Sequence, residues 1–279
     1  MKNLPNGVGL IEVQPPTAMR LARLVTRNLS YFKGYTLLLR TYNRVLSPAL
    51  YRIHDFDSDL TMDVNVCETV GCNIWQTPKA WEREERRSFC SALRPGAVVL
   101  DVGANQGAYT LTAAKRGCFV YAIEPDPQNV ALLRRNIELN GFQDRVQIFE
   151  MAVADAPSTL EMHRNPKNYG GSSLFGKDGP TFTVKVDTID SLDLPPIDVC
   201  KVDIEGAETI ALSGMAATLK RSTNLKLLVE YSEWLGKAHA DKLLAVLHSH
   251  FSSIQVVGGG EITPFCNLWC SRNGSDKLM

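Results

Sequence analysis

The sequence predicts a doubly wound α/β fold with a mainly parallel sheet, preceded by a helical N-terminal extension. Two observations carry that prediction. From Pro95 onward, short apolar runs alternate with helix-length segments. The first of these runs passes directly into a glycine turn and a helix. Repeated β–α units of this kind build a parallel sheet covered by helices on both faces.

Residues 95–279 form the expected core domain. AVVLDVG (97–103) is its first strand and QGAYTLTAAKRG (106–117) its first helix. CFVYAIEP (118–125) is the second strand, followed by the helix PQNVALLRRNIELNG (127–141), which Gly141 closes. RVQIFEMAVA (145–154) reads as a third strand. Turn residues and strand-like pieces such as TFTVKVDTI (181–189) interrupt the alternation over 157–197. It returns with the strand IDVCKVDIEG (197–206), the helix AETIALSGMAATLKR (207–221) and the strand LKLLVEYS (225–232). A helix over 237–249 and the strands SIQVVGG (253–259) and NLWCSRN (267–273) follow. The short link between the last two makes one of them antiparallel.

Residues 54–94 lead into this core. LTMDVNV (60–66) alternates like a half-buried strand, and PKAWEREERRSFCSAL (78–93) reads as a helix with Pro near its first turn. Residues 1–53 are the extension: loose over 1–16, then helical over 17–46. There Leu21, Val25, Leu29 and Phe32, and again Tyr35, Leu38, Tyr42 and Val45, recur every three or four residues. The extension holds eight Lys or Arg against one acid, Glu12, so it carries +7 and the remainder −7.

Composition narrows the class. At 279 residues, 44% hydrophobic and 22% charged, the chain is an ordinary globular one. It lacks an apolar run of about 18 residues. It also lacks a leading basic-then-apolar stretch, which favours the cytoplasm. Seven cysteines, an odd number spread through the chain, do not make a disulfide framework. Cys266 and Cys270 have near-metal spacing but no second pair follows, so no metal is expected. A core that is not basic argues against a nucleic acid partner.

Three motifs carry chemistry. VLDVGANQGAYTL (99–111) runs from strand through turn to helix, with Gly103 and Gly107 allowing close backbone approach to a ligand. Its G-x-x-x-G spacing departs from the dinucleotide pattern. Asp101 before it can receive an ammonium group, though the same residues also read as a tight turn with an acidic cap. YAIEPDP (121–127) puts Glu124 at the end of the second strand, where an acid can accept hydrogen bonds from ribose hydroxyls. In KVDIEGAE (201–208), Lys201, Asp203 and Glu205 alternate and would share one face of a strand. Charges there are expensive unless paired or used, and a plain reading as helix-capping acids with a Lys201–Asp203 pair stands beside the functional one.

Together these motifs resemble the FkbM family of methyltransferases. The D-V-G-A-N-x-G-x-Y-T turn at 101–110, the E-P at 124–125 and the K-V-D-I-E-G-A-E run at 201–208 carry the likeness. GGSSL (170–174), VDTID (186–190) and LLVEY (227–231) add to it. The resemblance implies a class I methyltransferase (Rossmann-like) fold with S-adenosyl-L-methionine as cofactor. It also implies methylation of a hydroxyl on a small molecule or glycan. The candidate cofactor-binding residues are Asp101, Gly103, Ala104, Asn105, Gly107, Tyr109, Thr110, Glu124, Pro125 and Ala152. Asp203 or Glu205 is the candidate base, with Lys201 holding an acid or stabilising a developing alkoxide. Ser172, Ser173 and Glu230 are candidate acceptor-binding residues, and His163 is a further candidate base.

Rival readings are an RNA methyltransferase using the basic extension, a non-catalytic S-adenosylmethionine-binding module, and an NAD-linked oxidoreductase, which the glycine spacing opposes. Residues 17–46 read either as peripheral contact with an anionic membrane surface, or cover for the site, or as solvated helices packed on the domain. Oligomeric state is not written in these motifs.

Overall fold

The computed structural model describes residues 11–12, 14–15, 17–26, 49–66, 68–163 and 181–272. Before the core come β1 (Ile11–Glu12), α1 (Thr17–Thr26), β2 (Ala49–Phe56), β3 (Leu60–Asn65), α2 (Thr69–Gln76) and α3 (Arg83–Ala92). The core opens with β4 (Val98–Val102), α4 (Ala108–Lys115), β5 (Phe119–Ile123), α5 (Pro127–Leu139) and β6 (Val146–Phe149). The interrupting segment holds β7 (Ala152–Val153), β8 (Ser158–His163) and β9 (Thr181–Asp187). The core resumes with β10 (Val199–Val202), α6 (Glu208–Ser213), α7 (Ala216–Arg221), β11 (Lys226–Ser232), α8 (Lys237–His250), β12 (Ser253–Val256) and β13 (Phe265–Ser271).

Seven strands form the central sheet in the order β12-β13-β11-β10-β4-β5-β6. β13 runs antiparallel to β11 and β12, while β6, β5, β4, β10 and β11 are parallel, as the alternation predicted. The chain winds outward from β4 to β6, then crosses back to set β10 beside β4. That switch point is where open α/β sheets bind ligands. Alternating side chains feed two cores. Val99, Val120 and Val199 pack on one side with Trp75, Trp81 and Phe89. Leu100, Val102, Cys200, Val202, Leu227 and Val229 pack on the other with residues of α6 to α8.

Several elements depart from the sequence reading, each for a long-range reason. The predicted third strand splits: β6 ends the large sheet, while β7 joins a separate sheet in the order β7-β9-β8. The predicted helix 207–221 breaks at Gly214, where the backbone runs so close to the Ala154 carbonyl that a Cβ would lie 2.0 Å from its oxygen. Its second half is restarted by Asp190, whose carboxylate accepts from the Ala217 and Thr218 amides at 2.8 and 2.7 Å. The strand expected over 197–206 stops at Val202. α2 went unassigned; its Thr, Val, Gly and Ile content is a poor helix signal, and burial overrides it. Cys266 and Cys270 sit four residues apart on β13, roughly 13 Å along an extended strand, which no single metal spans.

The N-terminal region is tied to the core. β2 was not assigned, and the boundary drawn at residue 53 falls inside it. β1, in the segment expected to be loose, pairs with Ala49 and Leu50 of β2. The β2–β3 hairpin lies on α5: the buried Asp63 carboxylate takes Arg52 at 2.7 Å and also Arg135, and its amide donates to Asn136 Oδ1 at 2.8 Å. The Asn65 amide donates to Gln106 Oε1 at 3.1 Å, fastening β3 to the turn after β4. Of the helix expected over 17–46, α1 falls within the described residues. Its Arg23 turns inward to Asp55 and the Trp75 carbonyl, while Leu21 and Leu24 face outward. Among the described residues no helix is long and apolar enough to cross a membrane.

Candidate active site

A cleft of about 570 Å³, counting its open mouth, lies at the carboxyl ends of β4, β5 and β10. Gly103, Asn105, Glu124, Pro125, Ala152 and Asp203 line it, as expected. Val102, Ile123, Asn129, Met151, Val153, Met162, Ile204 and Ala207 complete the wall, a largely apolar set not among the candidate site residues.

Glu124 is built into one end. Its Oε2 accepts from the Asn105 amide at 2.8 Å; its Oε1 accepts from the Asp126 amide at 2.9 Å and from Asn129 Nδ2 at 3.3 Å. Burial still outweighs these donors and pushes the carboxyl up to about 7.

The other first-motif residues support the turn from behind. Asp101 is fully buried, so it meets no ligand directly as the ammonium reading required. Its Oδ2 accepts from Thr110 Oγ1 at 2.6 Å, whereas its Oδ1 has no hydrogen-bond partner. Burial raises its proton affinity and the Lys201 ammonium pulls it back. Of the two glycines, Gly103 lines the cleft and Gly107 does not, and both are packed tightly on the side where a side chain would stand. A Cβ on Gly103 (φ +81°) would lie 2.0 Å from the Asp203 carbonyl oxygen, and one on Gly107 (φ +99°) 2.6 Å from Leu133 Cδ1. They let the turn seat against β10 and α5. Ala104, Gly107, Tyr109 and Thr110 are absent from the cleft wall.

At the far end a cluster of charges gathers around the exit of β10. Lys201 Nζ, buried, donates to Asp203 Oδ2 at 3.1 Å and lies 5.0 Å from the Tyr109 ring centroid. Desolvation opposes its charge, but Asp203, Asp101 and Glu82 together keep it firmly protonated. Asp203 is also desolvated, yet the ammonium and a hydrogen bond from Glu230 hold it below the usual carboxylate range. Glu230, desolvated and facing Asp203, rises to about 10 and is the protonated partner. Glu205 does not share the strand face expected of it: it sits in the turn after β10 with φ +54°. Burial and the charges of Asp203 and Glu208 push it up to about 7. The turn is held by Glu208, whose Oε1 accepts from the Ile204 and Gly206 amides at 3.0 and 3.1 Å, and by His239, which reaches the Gly206 carbonyl at 2.8 Å.

Ser172 and Ser173 lie outside the described residues. Met162, rather than its neighbour His163, lines the cleft. Sequence reasoning missed Glu82, whose Oε2 accepts from the Tyr109 hydroxyl at 2.7 Å. It belongs to none of the motifs.

A family model described as the methyltransferase FkbM domain matches residues 101–251, a little over half of the chain. A ribosomal protein L11 methyltransferase of Caldanaerobacter subterraneus is 39% identical over 59 residues, 21% of this chain and 19% of that protein. A mouse tRNA (guanine(37)-N(1))-methyltransferase is 36% identical over 71 residues, 25% of this chain and 14% of that protein. The chain thus spans a fifth or less of the length of these curated relatives. Among solved structures, the methyltransferase FkbM of Methylobacillus flagellatus aligns over 91% of this chain and 77% of its own, at 16% identity and TM-score 0.46.

Proposed function

This chain belongs to the FkbM methyltransferase family, and from that premise we propose that it moves the methyl group of S-adenosylmethionine to a hydroxyl oxygen of a small molecule or glycan. One observation carries the reading: Asp203 lines the same cleft as Glu124, and Lys201, Glu205 and Glu230 cluster around Asp203. A hydroxyl acceptor must lose a proton, and a carboxylate beside the donor can take it.

When bound, S-adenosylmethionine supplies an activated methyl group on a sulfonium sulfur. The residues present suit it. Ile123, Met151, Val153 and Met162 offer apolar walls to a purine, and Glu124 offers its remaining lone pairs to ribose hydroxyls. The unpartnered Asp101 Oδ1, beneath the floor, adds negative potential toward a cationic ligand. Asp203 then borders the side from which an acceptor approaches. Glu205, titrating about 7, matches a base working near neutral pH. Lys201 keeps Asp203 charged and oriented, and the Glu230 proton completes its hydrogen bonding. Trp234, 53% exposed and with its indole nitrogen against Gly206, gives a ring-shaped acceptor a surface to stack on.

Transfer of labelled methyl to fractionated small-molecule and glycan extracts tests this, with tRNA as a separate arm. Base-stable label in the extract fractions supports an ether product. Label confined to tRNA overturns the acceptor class.

A further inference from the structure

Glu82 occupies the N-cap position of α3 in a left-handed backbone conformation, φ +44° and ψ +48°, which side chains other than glycine adopt rarely. Its carboxylate does not cap its own helix. It reaches instead to the hydroxyl of buried Tyr109. The Tyr109 ring is fixed by edge contacts from Phe89 at 5.0 Å and Trp81 at 6.1 Å, and it faces the Lys201 ammonium. Lys201 in turn holds Asp203. Three contacts therefore lead from Glu82 to the carboxylate that lines the cleft. An unusual backbone held by its surroundings and aimed at a charged cluster is a pointer to function.

We propose that Glu82, which lies ahead of the matched FkbM domain, is a positioning residue of the active site that sets the charge balance of the Asp203–Glu230 pair through Tyr109 and Lys201. The inference rests on the Asp203-centred reading of the site. The groups acting on Glu82 are Lys201, Asp203 and Tyr109 from the core and Glu85 from its own helix. Those acting on the pair include Lys201, Glu205 and Glu208. A single buried ammonium is thus shared among several carboxylates. Negative charge on Glu82 competes for it and strengthens the grip of the Asp203–Glu230 pair on its proton. Glu82, pushed up to about 7 chiefly by burial, is partly charged at neutral pH and can exert that effect.

The test reads proton affinity directly, so an error in the acceptor class leaves it intact. The full chain is labelled with carbon-13 at its Asp and Glu carboxyls, and Asp203 and Glu230 are followed by NMR through a pH titration. Glu82→Gln removes one negative neighbour, so the pair's titration moves to lower pH. Tyr109→Phe keeps the ring under Lys201 but removes the donor that stabilises the Glu82 carboxylate. At the pH where the pair titrates Glu82 remains ionised, but its charge is no longer held toward Lys201, so the pair moves part of the way in the same direction. The double variant moves it no further than Glu82→Gln alone. Glu84→Gln, on the exposed side of the same helix, leaves the titration in place. A merely structural Glu82 would lower thermal stability without shifting the pair. An unmoved titration in folded Glu82→Gln overturns the proposal. Should that variant fail to fold, an unmoved titration in Tyr109→Phe overturns it equally.

Discussion

The two ends of the cleft handle their carboxylates in opposite ways. At the β4–β5 end, Glu124 is surrounded by donors from its own neighbourhood: the amides of Asn105 and Asp126 and the side chain of Asn129. The carboxylate that bears on it is its chain neighbour Asp126. At the β10–β11 end, Asp203 acts on Glu205, Glu230 and Glu82, and Glu208 acts on Glu205 and Glu230, around one buried ammonium. The first arrangement is a rigid acceptor for hydrogen bonds. The second stores protons, with groups below the carboxylate range, about 7 and about 10 within one cluster. Such spread is what a site that must bind and release a proton requires.

That contrast is broken most directly by removing the ammonium. Lys201→Met leaves Asp203 without its counter-charge. We expect a stability loss of about 3 kcal/mol, the low end for a broken buried pair because the Asp203 side chain is 32% exposed. Urea unfolding measures it, and a loss under about 1 kcal/mol would show that the cation does not organise the cluster. Next in size are Asp203→Asn and Glu205→Gln. At least one should lower single-turnover methyl transfer by about 100-fold or more, with cofactor affinity changed less than about tenfold. If both instead abolish cofactor binding, the division between the two ends is wrong. Glu124→Gln should give the reverse pattern: cofactor affinity weaker by about 1–3 kcal/mol, with turnover at saturating cofactor near that of the parent.

The same contrast explains what the sequence revealed. The β4–β5 end is assembled from residues 101–129, so a strand, a turn and an acid-ended second strand announce it within thirty positions. Yet the roles inside it were only partly legible. Gly103 lines the cleft but Gly107 does not, and the residues that crowd them, Asp203 and Leu133, are not local in sequence. The β10–β11 end draws on 82, 109, 201–208 and 230. The acidic run was visible, but its strand ends before Glu205, and Glu82 joins through Tyr109 across 27 positions. In the fold, the alternation after Pro95 sufficed for a mainly parallel sheet. The break at Gly214 and the Asp190 cap on α7 depended on contacts that periodicity does not carry.

The smallest effect, and the sharpest probe of the Glu124 end, is the pH dependence of cofactor binding. Burial raises this carboxyl to about 7, so in the free protein it is largely protonated below that pH. A protonated carboxyl donates through one oxygen and loses acceptor capacity that ribose hydroxyls need. Binding therefore selects the ionised form and releases a proton. The sign follows: S-adenosylmethionine affinity falls by up to about tenfold for each unit below pH 7 and is level above it. Calorimetry between about pH 6 and 8, in buffers of different ionisation enthalpy, reads both the slope and the released proton. Glu82 and Glu205 also titrate about 7, so the slope alone does not name its source. Glu124→Gln decides. If Glu124 is the linked group, the slope and the proton release vanish in that variant and survive in Glu205→Gln. A wild-type affinity that is flat across the range, or a slope that persists in Glu124→Gln, would remove Glu124 from the ribose site.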